Sequence, residues 1–137
     1  MIRAVLDTNI VVSALLSPEG SIASILDLAA LQQFRCYVSV PILAEYVDVL
    51  GRAYLGVNQR TTSRAVERLR RSAVIVEPSR QVRACLHAGD NKFLECALEA
   101  RADYVDTGNV RHFPVRFQDI RVVLPRQFLT TLAAEPR

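Results

Sequence analysis

Short apolar runs alternate with helical patterns along the chain. The first run, residues 2–6, has no polar break at positions 4–6, which is typical of a strand buried on both faces of a parallel sheet. Similar runs predict further strands at 36–39, 74–76, 104–105 and 121–124. Helical periodicity predicts helices near 10–15, over 21–33, 41–54, 58–72 and 90–101, a weak helix at 81–88 and a last helix from 125.

This alternation predicts the fold class. Strands that alternate with helices form a parallel sheet with helices on both faces. We therefore expect an α/β protein, a three-layer α/β/α sandwich around a mostly parallel sheet of four to five short strands. The chain has 137 residues and shows no repeat or linker, so we expect a single domain over residues 1–137.

Acidic or amide side chains stand where strands end and helices begin. Asp7 ends the first strand, and the run from Asp106 to Asn109 ends the fourth. Glu45 lies near the start of the helix after the second strand, and Asp90 opens the helix that leads into the fourth. Because crossover helices run antiparallel to their strands, all of these positions fall at the carboxyl edge of the sheet, where open α/β folds bind ligands.

Each position also has a purely structural interpretation. Asp7 and Asp90 are both natural N-caps of the helices that follow them. Glu45 lies at the border of an apolar stripe, and a half-buried carboxylate needs a partner or a cation, whereas Asp48 points to the solvated side. Asp103 precedes the fourth strand, so we place it at the opposite edge and exclude it from the site.

Converging carboxylates without histidine or cysteine ligands favour a hard divalent cation, Mg²⁺ or Mn²⁺. Either ion can activate water and stabilise the charge on a phosphodiester. Asn109 or Asp106 would complete a set of metal ligands with Asp7, Glu45 and Asp90. Asn9 and Thr107 are expected to hold a carboxylate or a metal-bound water in place.

Composition limits the function further. The net charge of +3 and the pI near 9.0 allow a polyanionic partner without requiring one. The three distant cysteines have neither zinc nor redox spacing, and no stretch resembles a signal peptide or a membrane span, so we expect a cytoplasmic protein. His87 and His112 have no matching nucleophile, which gives no support to Ser/His or Cys/His catalysis.

Several motifs follow one another in a recognisable order. They are Asp7-Thr8-Asn9, Ser39-x5-Glu45-Tyr46, Asp90-Asn91-Lys92-Phe93-Leu94, and the run Asp103-Tyr104…Thr107-Gly108-Asn109…His112-Phe113-Pro114. Together, over nearly the whole chain, they resemble the PIN domain. More closely, they resemble its branch of toxins from bacterial toxin–antitoxin pairs.

The resemblance implies a Mg²⁺- or Mn²⁺-dependent endoribonuclease that hydrolyses RNA. It puts Asp7, Glu45 and Asp90 in the three principal acidic places of the family. Asn109 stands in the fourth place, where an aspartate is common, and Asp106 replaces the usual aliphatic residue. A cognate antitoxin that masks the acidic site is also implied, and related proteins often pair as homodimers.

Basic side chains near the predicted edge are candidates for contact with the RNA backbone: Lys92, Arg111, His112 and Arg116. A further candidate surface is a stripe of four arginines on the 58–72 helix, Arg60, Arg64, Arg68 and Arg71, unless they form ion pairs such as Glu67–Arg71. The alternative function is a catalytically weak PIN-like module that binds RNA or protein, because an amide at Asn109 is a poor metal ligand. A phosphoacceptor role for Asp7 is not favoured, since no second aspartate follows two residues on.

Overall fold

A six-stranded sheet forms the centre of the computed structural model, which describes residues 1–136. The strands are β1 (Arg3–Leu6), β2 (Arg35–Val38), β3 (Val74–Ile75), β4 (Tyr104–Asp106), β5 (Arg116–Phe117) and β6 (Ile120–Val123). Their order is β3-β2-β1-β4-β6-β5, and every neighbouring pair is parallel except the β5–β6 hairpin. The predicted α/β class is confirmed, with one strand more than expected.

Six helices flank this sheet: α1 (Thr8–Leu16), α2 (Ala23–Ala30), α3 (Val40–Leu50), α4 (Gln59–Ser72), α5 (Asn91–Ala100) and α6 (Pro125–Ala134). Short 3₁₀ turns occur at Ala53–Leu55, Ala88–Asp90 and Val110–His112. Helix α1 contacts α2 and α3, α4 contacts the same two helices, and α5 packs on β1, β2 and β4. Within residues 1–136, no helix combines the length and apolar character needed to cross a bilayer.

The core is built around β1, as its uninterrupted apolar run predicts. Ala4, Val5 and Leu6 have no exposed surface, because β2 and β4 pair with both edges of the strand and helices cover its faces. The Tyr46 hydroxyl on α3 donates a hydrogen bond to the carbonyl oxygen of Leu6. This bond ties α3 to the carboxyl end of β1.

Some predicted element boundaries are wrong. The helix predicted over 21–33 spans Ala23–Ala30, and the helix predicted over 41–54 ends at Leu50. The two-residue strand β5 is absent from the sequence prediction, because so short a run has no readable periodicity.

No α-helix forms at 81–88, contrary to the prediction, and only Ala88 lies in a 3₁₀ turn. The segment lies along α5, whose side chains accept its backbone N–H groups. Glu95 accepts the N–H of Val82 at 2.9 Å, and Asn91 accepts those of Ala84 and Cys85 at 3.1 and 2.9 Å. These acceptors replace the i−4 carbonyls that a helix would use, so the backbone groups of residues 82–85 are satisfied without an α-helix.

Candidate active site

Asp7 directly follows β1 at the carboxyl edge and is only 6% exposed. It makes no side-chain capping bond to α1, so the helix-cap interpretation does not account for it. Instead, its Oδ2 accepts a 2.7 Å hydrogen bond from the Thr107 hydroxyl and a 3.3 Å bond from the Asn9 amide. Asn9 and Thr107 therefore lie against this carboxylate, where the sequence analysis expected them.

The surroundings of Asp7 are electrostatically unfavourable for its charge. Burial raises its pKa to about 6, the hydrogen bond from Thr107 opposes this increase, and the negative charges of Asp90 and Glu45 add to it. The three predicted carboxylates are thus close enough to repel one another.

Glu45 reaches this edge from the middle of α3, further from the start of the helix than predicted, and is half-buried, as its place at the border of the apolar stripe predicts. Its Oε1 forms an ion pair with the Lys92 ammonium, and its Oε2 accepts a hydrogen bond from the Thr8 hydroxyl. Asp48, on the same helix, is 74% exposed and pairs with Arg52 at 3.3 Å. The predicted difference in exposure between Glu45 and Asp48 is confirmed.

Asp90 stands immediately before α5 and makes no side-chain capping bond. Its Oδ2 lies 3.7 Å from Nδ1 of His112. Burial raises the pKa of Asp90, the imidazole of His112 lowers it, and the charge of Glu45 raises it again. The carboxylate therefore lies beside a histidine from another element, within electrostatic range of Glu45, and does not serve only its own helix.

Asp106 lies on the other face of the sheet. It pairs in register with Leu6, whereas Thr107, the next residue, faces Asp7. Successive side chains of a strand project to opposite faces, so the Asp106 carboxyl is directed away from the cluster. Asn109 is exposed, and its backbone N–H donates to the Thr107 hydroxyl at 2.9 Å.

The predicted RNA-contacting residues have different environments. Lys92 is paired with Glu45, while His112 packs edge-to-face on His87 with 4.7 Å between ring centroids. Arg116 bonds to the carbonyl oxygen of Gln118 at 2.8 Å within the hairpin, and Arg111 is exposed. On α4, two of the four arginines are in ion pairs, Arg68–Asp27 at 3.0 Å and Arg71–Glu67 at 3.1 Å, as the surface-pair interpretation expects.

Two contacts of the site were not foreseen from the sequence. Thr8 bonds to Glu45, although it lies in the Asp7-Thr8-Asn9 motif that marked the site. His87 packs on His112 beside Asp90, and the 3₁₀ turn at 88–90 that brings it there has no periodic signal.

The donor set fits a hard divalent cation by its chemistry. It consists of oxygen donors, and one carboxylate is almost completely buried among others of like charge. In the part of the chain that is described, however, no group of three or more His, Cys, Asp or Glu side chains is already arranged to hold a metal ion. Asp7 and Glu45 each accept hydrogen bonds from the chain itself, and Asp90 lies next to a histidine.

The fold and the site define an α/β protein with an acidic cluster at the carboxyl edge of a mostly parallel sheet. The sequence profile of the PIN domain matches residues 3–111, and the chain belongs to this family. The matched range includes Asp7, Glu45, Asp90 and Asn109. Members of the family are generally nucleases.

Two similar proteins agree with this assignment. The uncharacterized protein MJ1680 of Methanocaldococcus jannaschii is 29% identical over 141 aligned residues, which cover 93% of this chain and 90% of the relative. A chain from the structure of VapBC-1 of nontypeable Haemophilus influenzae has the same fold, with a TM-score of 0.62 at 22% identity. That match covers 91% of this chain and 99% of the other.

Proposed function

We propose that this protein is a Mg²⁺- or Mn²⁺-dependent endoribonuclease that hydrolyses phosphodiester bonds in RNA. The observation that supports the proposal is the placement of acidic side chains at the carboxyl edge: Asp7 is buried against Thr107, and Glu45 pairs with Lys92, two residues after Asp90. Membership of a family of nucleases that generally use divalent ions supports it independently.

In this proposal Asp7, Glu45 and Asp90 would hold the metal, and Asn109 would complete the set. The bound ion would supply Lewis-acid activation of water and phosphate. Thr107 and Asn9 keep the Asp7 carboxylate oriented through their hydrogen bonds. Basic side chains would hold the phosphate backbone of RNA beside the cluster: Lys92, Arg111, His112 and Arg116.

We further propose that the protein acts as the toxin of a type II toxin–antitoxin pair. The motif order shared with toxins of such pairs and the fold shared with a VapBC-1 chain support this proposal. The partner would be an antitoxin that covers the acidic cluster, and a homodimer is the proposed assembly. An open reading frame for a small protein beside the gene, and co-purification of its product, would support the pairing.

The decisive experiment compares Asp7→Asn with Asp48→Asn on single-stranded RNA in the presence of Mn²⁺. Asp7→Asn removes a buried charge from the cluster, so we expect cleavage to fall by about 1000-fold or more. Asp48→Asn changes an exposed carboxylate on the same protein and should leave the rate unchanged. Thermal unfolding of both variants checks that they are folded, and equal rates would contradict the proposal.

A second candidate is a module that binds RNA without cutting it. Its support is the neutral Asn109 in place of a carboxylate, together with the lack of a ready group of ligands within residues 1–136. Binding of RNA that is equal with and without Mn²⁺, and no cleavage at any Mn²⁺ concentration, would favour this module over the nuclease.

A further inference from the structure

The acidic cluster contains a cation supplied by the chain itself. Lys92 is the only lysine in the sequence, and its ammonium forms an ion pair with Oε1 of Glu45. Both side chains are about one-quarter exposed, at 24% and 26%. Because Thr8 bonds to the second oxygen, neither oxygen of the Glu45 carboxylate is free of a contact from its own chain.

The charge of Lys92 also acts beyond Glu45. Lys92 stands two residues after Asp90 at the start of α5, so its ammonium adds a positive charge beside a second carboxylate of the cluster. An ammonium in this place therefore offsets repulsion among the carboxylates when no other cation is bound.

The position of Lys92 explains how one ammonium lies near both Glu45 and Asp90. It lies in the first turn of α5, two residues after Asp90, and reaches across to α3, 47 residues away in the chain. A lysine ammonium is a compact charge on a flexible stem, so it can leave without any change in the backbone.

We propose that Lys92 is a resident counter-cation, which occupies Glu45 in the metal-free protein and is displaced when a divalent cation binds. This inference rests on the proposed metal-dependent function and concerns the regulation of the same site. Metal affinity is then set by a competition between the ion and Lys92 for one carboxylate oxygen. Once displaced, the ammonium lies beside the cluster and is free to contact an RNA phosphate.

The first test measures Mn²⁺ binding by calorimetry for the wild type, Lys92→Gln and the control Arg52→Gln. Removing the competing charge should tighten Mn²⁺ binding in Lys92→Gln by about ten-fold, whereas Arg52→Gln, which breaks only the surface pair with Asp48, should match the wild type. Metal-free Lys92→Gln should also unfold at a lower temperature, because Glu45 loses its partner. Unchanged or weaker Mn²⁺ binding in Lys92→Gln would overturn the inference.

The second test uses the single lysine as a probe, and its main measurement is made on the wild type. Isotope-labelled lysine gives one lysine signal set in the NMR spectrum, which should move towards free-lysine values as Mg²⁺ is added. Glu45→Gln should show those values before any Mg²⁺ is present. Calorimetric binding of Mg²⁺ without movement of the Lys92 signals would contradict displacement.

These outcomes separate the two proposals. Metal binding to the wild type and to Lys92→Gln with equal affinity leaves the nuclease proposal standing and removes the role of Lys92. Binding to neither protein overturns both the metal dependence and the competition. Metal binding that is detectable only in Lys92→Gln supports the competition, because Lys92 would then outcompete the metal ion for Glu45 in the wild type.

Discussion

Two buried aspartates at the carboxyl ends of neighbouring strands have very different surroundings. Asp7 is 6% exposed and Asp106 is fully buried, and a 2.9 Å backbone hydrogen bond joins the N–H of Asp7 to the carbonyl of Asp106. Burial is the main cause of a raised pKa in both, to about 6 for Asp7 and about 8 for Asp106. Asp7 accepts hydrogen bonds from Thr107 and Asn9, whereas both carboxyl oxygens of Asp106 lack a partner among residues 1–136.

The difference shows that burial alone does not suit a carboxylate to bind a cation. Hydrogen-bond donors keep Asp7 mostly ionised at neutral pH, while Asp106, without donors, holds its proton. At pH 7, Asp7 therefore offers a charge to a metal, while Asp106 is mostly neutral. Nothing in the structure assigns a function to Asp106. We expect the burial of its carboxyl group without hydrogen-bond donors to destabilise the fold.

The largest predicted effect on stability comes from Asp106→Leu. The folded pKa is above the unfolded value, so the folded carboxyl binds more protons and the wild type loses stability as pH rises from about 4 to 8. Leucine removes the buried ionisable group, so the variant should gain on the order of 6 kcal/mol at pH 9 and about 2 kcal/mol at pH 5. Urea unfolding at both pH values measures this gain, and Mn²⁺-dependent cleavage at pH 7 should stay within about three-fold of wild type. A loss of stability at pH 9 would show that unseen partners satisfy Asp106.

Asp7→Asn should stabilise the metal-free protein by a smaller amount. Ionisation of Asp7 lowers wild-type stability as pH rises from about 4 to 6, because its folded pKa is again above the unfolded value. The amide cannot ionise, so the variant should be more stable by about 3 kcal/mol at pH 7 and nearly equal to wild type at pH 4. Urea unfolding in a chelator measures the difference. A variant less stable than wild type at pH 7 would mean that the Asp7 charge is well satisfied without metal.

The sequence alone predicts much of the arrangement of these acidic residues. The topology of alternating strands and helices placed Asp7, Glu45 and Asp90 at one edge, and the helical wheel separated Glu45 from Asp48. The sequence also offered Asp106 as a residue that could complete the ligand set, but its register with Leu6 directs its side chain away from the cluster.

The partners of these carboxylates could not be predicted. Which donor reaches Glu45 depends on the rotamers of Lys92 and Thr8 on separate elements, and no spacing rule encodes such contacts. The helix predicted at 81–88 does not form for a related reason. The local helical tendency of this segment is weak, and acceptors on α5 bind its backbone N–H groups instead.

Thr107→Val tests whether hydrogen bonding keeps Asp7 charged. Valine has nearly the same shape but cannot donate to Asp7, so the pKa of Asp7 should rise further above its ordinary value. The acidic limb of the pH profile of kcat/KM for RNA cleavage should move up by about one pH unit. Thr130→Val, on the exposed side of α6, is the matched control and should leave the profile unmoved. A shift in neither variant would mean that the Thr107 hydroxyl does not tune the Asp7 carboxylate.

The smallest effect is expected for an aspartate that is neither buried nor near the cluster. Asp48 is 74% exposed, and its pair with Arg52 spans one turn of α3 in solvent. Exposed i,i+4 pairs contribute little, because water screens the charges and the long side chains lose freedom when they pair. Asp48→Asn should therefore change the unfolding midpoint by no more than about 1 °C at any pH between 5 and 9. The contrary result is a stability difference between Asp48→Asn and wild type that changes with pH as steeply as for Asp7→Asn or Asp106→Leu. The net charge of the protein would then be the cause, and burial would not distinguish these three carboxylates.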